Sequence, residues 1–335
     1  MTIAAPYLLF LGHGDNPLSI KTARGIAEWR PELCVGEYGA PLTLGLRKLS
    51  PKDAVAAGAK TFVIGLTNTT GDISEKWRDS ILDAIEAGMN VVSGLHQRLS
   101  AVECIDAAAK AKGVTLHDVR HVDQPLPIGT GAPRHGRRIL TVGTDCSVGK
   151  MYTSLAIEKS MRAAGFDVTF RATGQTGILI SGDGLPVDAV VADFIAGGVE
   201  ALCPSADDSH WDVIEGQGSI FNPAYAGVSL GLLHGAQADI LVMCHEVGRE
   251  QIKDKPGYAI PSLEDCVATN LQLAQLTNSK VRLGAISLNC RMLDKSEVDR
   301  TCQAVGARFG VPCFDPLIHG PDEFINDLAS EAELV

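Results

Sequence analysis

The segment from Arg138 to Gly165, RILTVGTDCSVGKMYTSLAIEKSMRAAG, contains the clearest chemistry in this chain. An apolar run ends at Gly143, a turn rich in small residues follows, and an amphipathic stretch opens at Gly149 and Lys150. A chain that turns sharply from strand to helix needs glycine, which permits positive φ and close approach of backbone to a ligand. Successive amides and the helix N-terminus then face an anion, and Lys150 adds a mobile positive charge. Phosphate is the natural guest, which makes Gly143, Thr144, Ser147, Gly149 and Lys150 the candidate cofactor-binding residues. The usual phosphate-loop pattern is G-x-x-x-x-G-K-[ST]. This loop carries five residues between its glycines instead of four, and Met151 stands where the hydroxyl belongs. In nucleotide hydrolases that hydroxyl holds Mg²⁺ beside the phosphates, and Thr153, two positions on, points elsewhere on the helix. The loop therefore keeps an anion cradle without its metal ligand. That favours binding a phosphate-bearing cofactor over hydrolysing a triphosphate, and no tightly bound metal is expected.

Other polar clusters follow apolar runs, where open α/β sheets place their sites. Arg171, Thr173, Gln175 and Thr176 lie in RATGQTG, a loop suited either to close approach of a ligand or to ordinary solvation. Asp183 and Asp188 flank Pro186. Asp193 sits in the apolar stretch VVADFIAGG, either exposed or facing the loop. Glu215 ends WDVIE before GQGS, where a carboxylate either takes a proton or serves the turn. His245 follows LVMC as either a core histidine or a functional base. Arg249 and Arg291 are either carboxylate clamps or surface cations. Cys146 lies at a helix N-terminus, which favours a thiolate, although one such cysteine is more often a loop filler than a nucleophile. In the first half, GHGD at 12–15 and NTTGD at 68–72 also end strands and are expected to form the other wall of an interdomain cleft. The pair Gly12 and Gly14 lacks the third glycine of a dinucleotide fingerprint, which argues against an NAD dehydrogenase.

These loops need strands and helices to hold them. Short apolar runs alternate with helix-length amphipathic stretches, the pattern of parallel sheets with crossover helices. Strands are expected at 7–12, 61–66, 90–93 and 114–119, with helices at 18–29, 74–87 and 101–112. A second series of strands falls at 138–142, 167–171, 211–215, 238–244, 281–288 and 312–315. Its helices fall at 149–164, 187–201, 224–234, 262–276, 296–309 and 322–333. Between them, residues 121–136 (HVDQPLPIGTGAPRHG) hold three Pro and three Gly, which deny both helix and strand. The expected plan is therefore a Rossmann-like domain over 1–120, a linker over 121–136, and a phosphate-loop α/β domain over 137–335.

Composition limits the partners. The 335 residues suffice for two domains, and 29 Lys and Arg against 40 Asp and Glu leave a net charge of −11. No basic footprint for nucleic acid is expected, and no polybasic attraction to a membrane. No run reaches the roughly 18–20 apolar residues of a membrane helix. The run at 4–11 lacks a basic leader and reads as a strand, not a signal peptide. Nine dispersed cysteines without a C-x-x-C pair favour reduced thiols and a cytoplasmic protein. A homo-oligomer is expected on base rates alone.

The loop variant GTDxxVGK resembles that of dethiobiotin synthetase and its relatives. In combination, GTDCSVGK ending at Lys150, ATGQTG at 172–177, VEAL near 199, IEGQGS at 214–219 and LVMCHE at 241–246 resemble the DgcN-type D-glutamate N-acetyltransferases. The likeness spans essentially the whole chain. It implies an N-terminal Rossmann-like domain, a C-terminal phosphate-loop domain, and transfer of an acetyl group from acetyl-CoA to the amino group of D-glutamate or a related D-amino acid. Such a reaction needs a base for the ammonium, donors for the oxyanion and a hold on both substrates. Glu215 is the first choice as base, with Asp193 and His245 behind it. Loop amides of 174–177 or 216–218 are candidates for the oxyanion. Arg171, Arg249 or Arg291, with Thr173, Gln175 and Thr176, would bind the amino acid. The rivals are an ATP- and Mg²⁺-dependent ligase or kinase of the dethiobiotin synthetase type, and a non-enzymatic nucleotide-binding regulator.

Overall fold

Strands buried on both faces read as unbroken apolar runs, and parallel sheets are built from them. The computed structural model describes residues 3–14, 16–66 and 70–332. It divides into two units, one of 1–123 with 174–189, the other of 124–173 with 190–335. Of the expected positions, Asp15, Asn68 and Thr69 lie outside the described residues. Among the described residues no helix is long and apolar enough to cross a membrane.

In the first unit, β1 (Tyr7–Phe10) and β3 (Thr61–Ile64) are buried at every position. They are joined by β2 (Cys34–Tyr38), β4 (Asn90–Ser93) and β5 (Leu116–Asp118). The order is β2-β1-β3-β4-β5, with all pairs parallel. This is a doubly wound sheet, reversing at β1 and β3. Phe10 stacks on Phe62 at 5.2 Å between ring centres, an aromatic pair at the middle of the core. The helices are α1 (Lys21–Trp29), α2 (Pro51–Ala56), α3 (Glu75–Glu86) and α4 (Glu103–Lys112). β2 and α2 leave little trace in the sequence. The strand contains Gly36 and buries the carboxylate of Glu37, and the helix has only six residues.

The second unit starts with β6 (Arg137–Gly143) and α5 (Lys150–Ala163). It continues through β7 (Val168–Arg171), leaves for α6 (Gln175–Ser181), and returns with α7 (Ile195–Leu202). Then come β8 (Trp211–Ile214), α8 (Ala226–Ala236), β9 (Ile240–Glu246), α9 (Leu263–Ala274), β10 (Arg282–Asn289), α10 (Lys295–Phe309), β11 (Cys313–Phe314) and α11 (Asp322–Ala332). The six-stranded sheet is parallel, in the order β11-β10-β9-β6-β8-β7. β6 is central. The chain runs to β7 and β8 on one side, then crosses to β9, β10 and β11 on the other, so the switch point lies beyond the carboxyl end of β6. Ile139, Ile157, Val213, Val242 and Phe324 meet in the core beneath it.

Two stretches depart from expectation. The single helix expected over 187–201 is two 3-10 turns, Val187–Ala189 and Ala192–Phe194, before α7 begins. The chain changes unit between Ala189 and Val190, and one helix cannot serve both. The Pro/Gly stretch groups with the second unit from residue 124 and is tied to α7. The amides of Thr130 and Gly131 donate to the Glu200 carboxylate, and a Cβ on Gly197 would stand 2.1 Å from the Pro127 carbonyl.

Gly65 follows β3 where α1 crosses it. A Cβ there would fall 2.3 Å from the Cβ of Ala23. Overpacking of this kind costs about 1–3 kcal/mol. Gly65→Ala should therefore lower the urea midpoint of the first unit, followed by its Trp29 and Trp77 fluorescence.

Candidate functional site

The loop from Gly143 to Lys150 turns by means of two positive φ angles, 57° at Ser147 and 110° at Gly149. Gly149 is the N-cap of α5, and no side chain caps this helix. The first amides of a helix have no partner within it, so here they face outward with the positive end of a 14-residue dipole behind them. Lys150 is 6% exposed, and its Nζ donates to the Asp145 carbonyl at 2.8 Å. Burial holds the Lys150 ammonium below its ordinary pKa, with Cys146, Cys244, Asp145 and Glu215 opposing that shift. A cavity of about 20 Å³ borders Gly143, Lys150, Gly216 and Ser219. Gly216 is required there: a Cβ would stand 1.8 Å from the Thr141 carbonyl and 2.9 Å from Lys150 Cδ.

The Thr153 and Ser154 hydroxyls in the first turns of α5 are both engaged. Thr153 Oγ1 bonds the Gly149 carbonyl at 3.1 Å and Ser287 at 2.8 Å. Ser154 Oγ bonds Thr141 at 2.9 Å and the Lys150 carbonyl at 3.0 Å. Both side chains turn into the sheet, away from an anion at the helix end.

The loop is braced by Asp145, which is fully buried. Its carboxylate accepts from Asn222 Nδ2 (3.0 Å), Arg249 (3.2 Å) and the Lys253 amide (2.6 Å). Arg249 also donates to the Cys146 carbonyl at 2.7 Å and pairs with Glu246. The other oxygen of Glu246 receives Arg291 at 2.5 Å. A chain of alternating charges thus runs from the loop across the ends of β9 and β10. Its inner members are satisfied, as buried charges must be. Arg291, with its side chain 64% exposed, has donors to spare.

Beside the loop, Thr144 Oγ1 and His245 Nδ1 are 3.0 Å apart. Burial and, secondarily, Arg249 push the His245 pKa below its ordinary value, while Glu246 opposes them. The imidazole is neutral at neutral pH. With Nδ1 on Thr144, Nε2 has no hydrogen-bond partner among the described residues. Glu215 is 3% exposed and held differently. One oxygen accepts from the Thr173 amide at 3.0 Å and the other from Gln217 at 3.2 Å.

The structure therefore gathers Gly143, Thr144, Ser147, Gly149, Lys150, Glu215, His245, Arg249 and, through Glu246, Arg291. Other expected residues go elsewhere. Arg171 pairs with Asp212 at 2.5 Å, and His210 lies 3.4 Å from the same carboxylate oxygen. Asp193 is exposed on a 3-10 turn, not within a helix. Thr173 bonds Glu215, but 175–177, the second half of ATGQTG, are helical and not a loop. Gln175 opens α6, which groups with the first unit. Its side chain packs on Gly94, and Thr176 Oγ1 lies 3.3 Å from Thr22 Oγ1. Asp188 pairs with Arg120 in that same unit. The Gly216 amide is spent on Thr141 Oγ1 at 2.9 Å, which removes it as an oxyanion donor. Cys146 is a thiol, because burial raises its pKa despite Lys150, Lys253 and Arg249 nearby. Sequence reasoning missed Asp145, Asn222 and Lys253 as partners. Asp145 was visible as a charge inside a phosphate loop, where an unpaired anion would repel the guest. The other two carry no local signal.

Residues 127–325 match the family described as a domain of unknown function, DUF1611_C, P-loop domain. Residues 40–122 match its partner, DUF1611_N, Rossmann-like domain. The chain is a member of the DUF1611 family. A solved DUF1611 family protein from Anabaena variabilis superposes with a TM-score of 0.86 at 29% identity, covering 97% of this chain and 99% of that one. Two curated relatives carry the name D-glutamate N-acetyltransferase, one from a Pseudoalteromonas species and one from Tritonibacter scottomollicae. Each is 47% identical over 331 residues, 98% of this chain, and is covered over 100% and 99% of its own length respectively.

Two outcomes check this arrangement in the DUF1611 chain. Asp145→Ala takes the acceptor from Asn222 Nδ2 and the Lys253 amide while Arg249 keeps Glu246, and each donor left unsatisfied costs about 1–3 kcal/mol; the thermal midpoint should fall and anion binding should weaken with it. His245 has a lowered folded pKa, so its contribution to stability is present above about pH 6.5 and is lost as pH falls below that value. Between pH 7 and 5 the wild type should lose more thermal stability than His245→Gln, both followed by calorimetry.

Proposed function

We propose that this chain is an acyltransferase that moves the acetyl group of acetyl-CoA to the amino group of D-glutamate. Its near full-length likeness to two D-glutamate N-acetyltransferases supports the reaction. The observation that carries the donor is the uncapped end of α5 with buried Lys150, Met151 in place of the usual hydroxyl, and Thr153 and Ser154 turned into the sheet. Coenzyme A brings a diphosphate, and an anion cradle without hydrolytic chemistry suits it. A ligase or kinase would need a hydroxyl that Met151 does not supply and that Thr153 and Ser154 have already committed.

In this reading the amides of 146–150 and Lys150 hold the diphosphate. Arg291 takes a carboxylate of glutamate, because Arg249 is saturated by protein groups and Arg171 by Asp212. The base is His245, neutral and with Nε2 free, in preference to Glu215, whose two oxygens are already engaged. Nε2 takes a proton from the ammonium, the amine attacks the thioester carbonyl, and the coenzyme leaves as its thiol. The protein is further proposed to be a cytoplasmic homo-oligomer, with small molecules and neither nucleic acid nor membrane as its partners. The acidic charge and the dispersed free thiols support that placement.

The position of His245 favours a second reading of the cradle. An extended pantetheine arm reaches roughly 15 Å, the span of four or five extended residues. A base touching Thr144 therefore requires either a folded arm or a glutamate carboxylate in the cradle itself.

Incubation with D-glutamate and acetyl-CoA should consume free amine and release free thiol in equal amounts; absence of both removes the proposed reaction. Lys150→Ala should raise KM for acetyl-CoA on the order of tenfold or more, the loss of one charge-assisted contact. If KM for D-glutamate rises instead, the carboxylate occupies the cradle. His245→Gln should lower kcat by about 10²–10⁴ and flatten the acid limb of the pH profile. If Glu215→Gln does so while His245→Gln does not, Glu215 is the base.

A further inference from the structure

Away from the phosphate loop, three cysteines converge between β10, α10 and β11. Cys302 and Gly306 are one helical turn apart and share a face of α10. That face lies on β11, since a Cβ on Gly306 would come 3.4 Å from the Cβ of Cys313. Cys302, 5% exposed, neighbours Cys313 on one side and Cys290 on the other. His319 neighbours Cys302; its Nε2 is held by Asp299 at 2.8 Å and its Nδ1 accepts from the Asp315 amide at 3.4 Å. Cys302, Cys313, His319 and Asp299 all border one surface cavity of about 770 Å³. Cys290 is 1% exposed and does not border it. Among the described residues no group of three or more His, Cys, Asp or Glu is placed to hold a metal ion.

A carboxylate, an imidazole and two thiols gathered on the wall of one cavity are the parts of a thiol-exchange site. We infer that Cys302 is a nucleophilic thiol that reacts with small-molecule disulfides entering this cavity, and that Cys313 resolves the product. The Cys302 sulfur attacks one sulfur of the disulfide, whose S–S bond breaks, and one small thiolate leaves and takes a proton from solvent. Cys313 then loses its proton to solvent and attacks Cys302. A Cys302–Cys313 bond forms and the second small thiol leaves. The protein gives up two electrons, and the disulfide becomes two thiols.

The charges around Cys302 fit that order. Its pKa is brought down to about 7, first by the Cys313 hydrogen bond and then by His319 and Cys290, against burial and Asp315. Cys313 is raised, chiefly by donating to Cys302, with Glu323 adding to the shift. His319 is raised by Asp299 and by Cys302. Cys302 is thus the attacking thiolate. Cys313 is freed to react once Cys302 has become a neutral mixed disulfide.

The test uses oxidised glutathione on the native full-length protein, with peptide mapping by mass. The wild type should acquire a Cys302–Cys313 disulfide. Cys313→Ser should hold glutathione on Cys302, and Cys302→Ser should leave Cys313 unmodified. In the unmutated protein, iodoacetamide at pH 7 should label Cys302 on the order of tenfold faster than exposed Cys104, the reference within the same molecule. Glutathione confined to Cys104, Cys313 reacting at the wild-type rate without Cys302, or slower labelling of Cys302 than of Cys104 would each overturn the proposal.

Discussion

A carboxylate with no exposed surface must be matched charge for charge and bond for bond, and Asp145 imposes that demand at the heart of this molecule. It lies inside the loop that carries Lys150 and the uncapped end of α5. Left alone it would cancel Lys150. Bound by Arg249, Asn222 and the Lys253 amide, it becomes the point that fastens the loop to the segments after β8 and β9. The remaining charge is passed outward through Glu246 to Arg291. The alternation lets an acidic protein hold one local positive end.

The sheet order makes this possible. β6 is central, and the chain reverses direction of travel there. The loop after β6 therefore has β8 on one flank and β9 on the other. Glu215 and Gly216 arrive from β8, and His245 and Glu246 from β9, without any element being bent to bring them. Parallel strands put all these ends at the same edge, so chemistry from distant parts of the sequence meets there by topology.

Most of this was legible in the chain. Apolar runs marked the strands, and Gly143, Gly149 and Lys150 marked the cradle. The loss of a metal-binding hydroxyl was visible at Met151, and the engagement of Thr153 with Ser287 completes it. What could not be read is pairing at a distance. Arg249 and Arg291 are equivalent as letters, yet one is held in by two carboxylates and the other, on a single carboxylate, stays largely exposed. Asp193 looked helical because its neighbours are apolar. Gln175 looked like a loop residue because glycines flank it, although Gly174 only starts a helix. Cys290, Cys302 and Cys313 are spaced without any motif and meet only because β10 and β11 are adjacent.

α6 belongs to the first unit although 50 residues of the second precede it in the chain, from 124 to 173. During synthesis, a sheet of five strands is complete in sequence by residue 118, but the helix that packs on α1 has not yet been made. The first unit is not complete in sequence before residue 189. By then β6 and the phosphate loop are also outside the ribosome, waiting for β8 and β9. The two units are therefore interleaved along the chain, and neither can be cut out as one continuous piece of it.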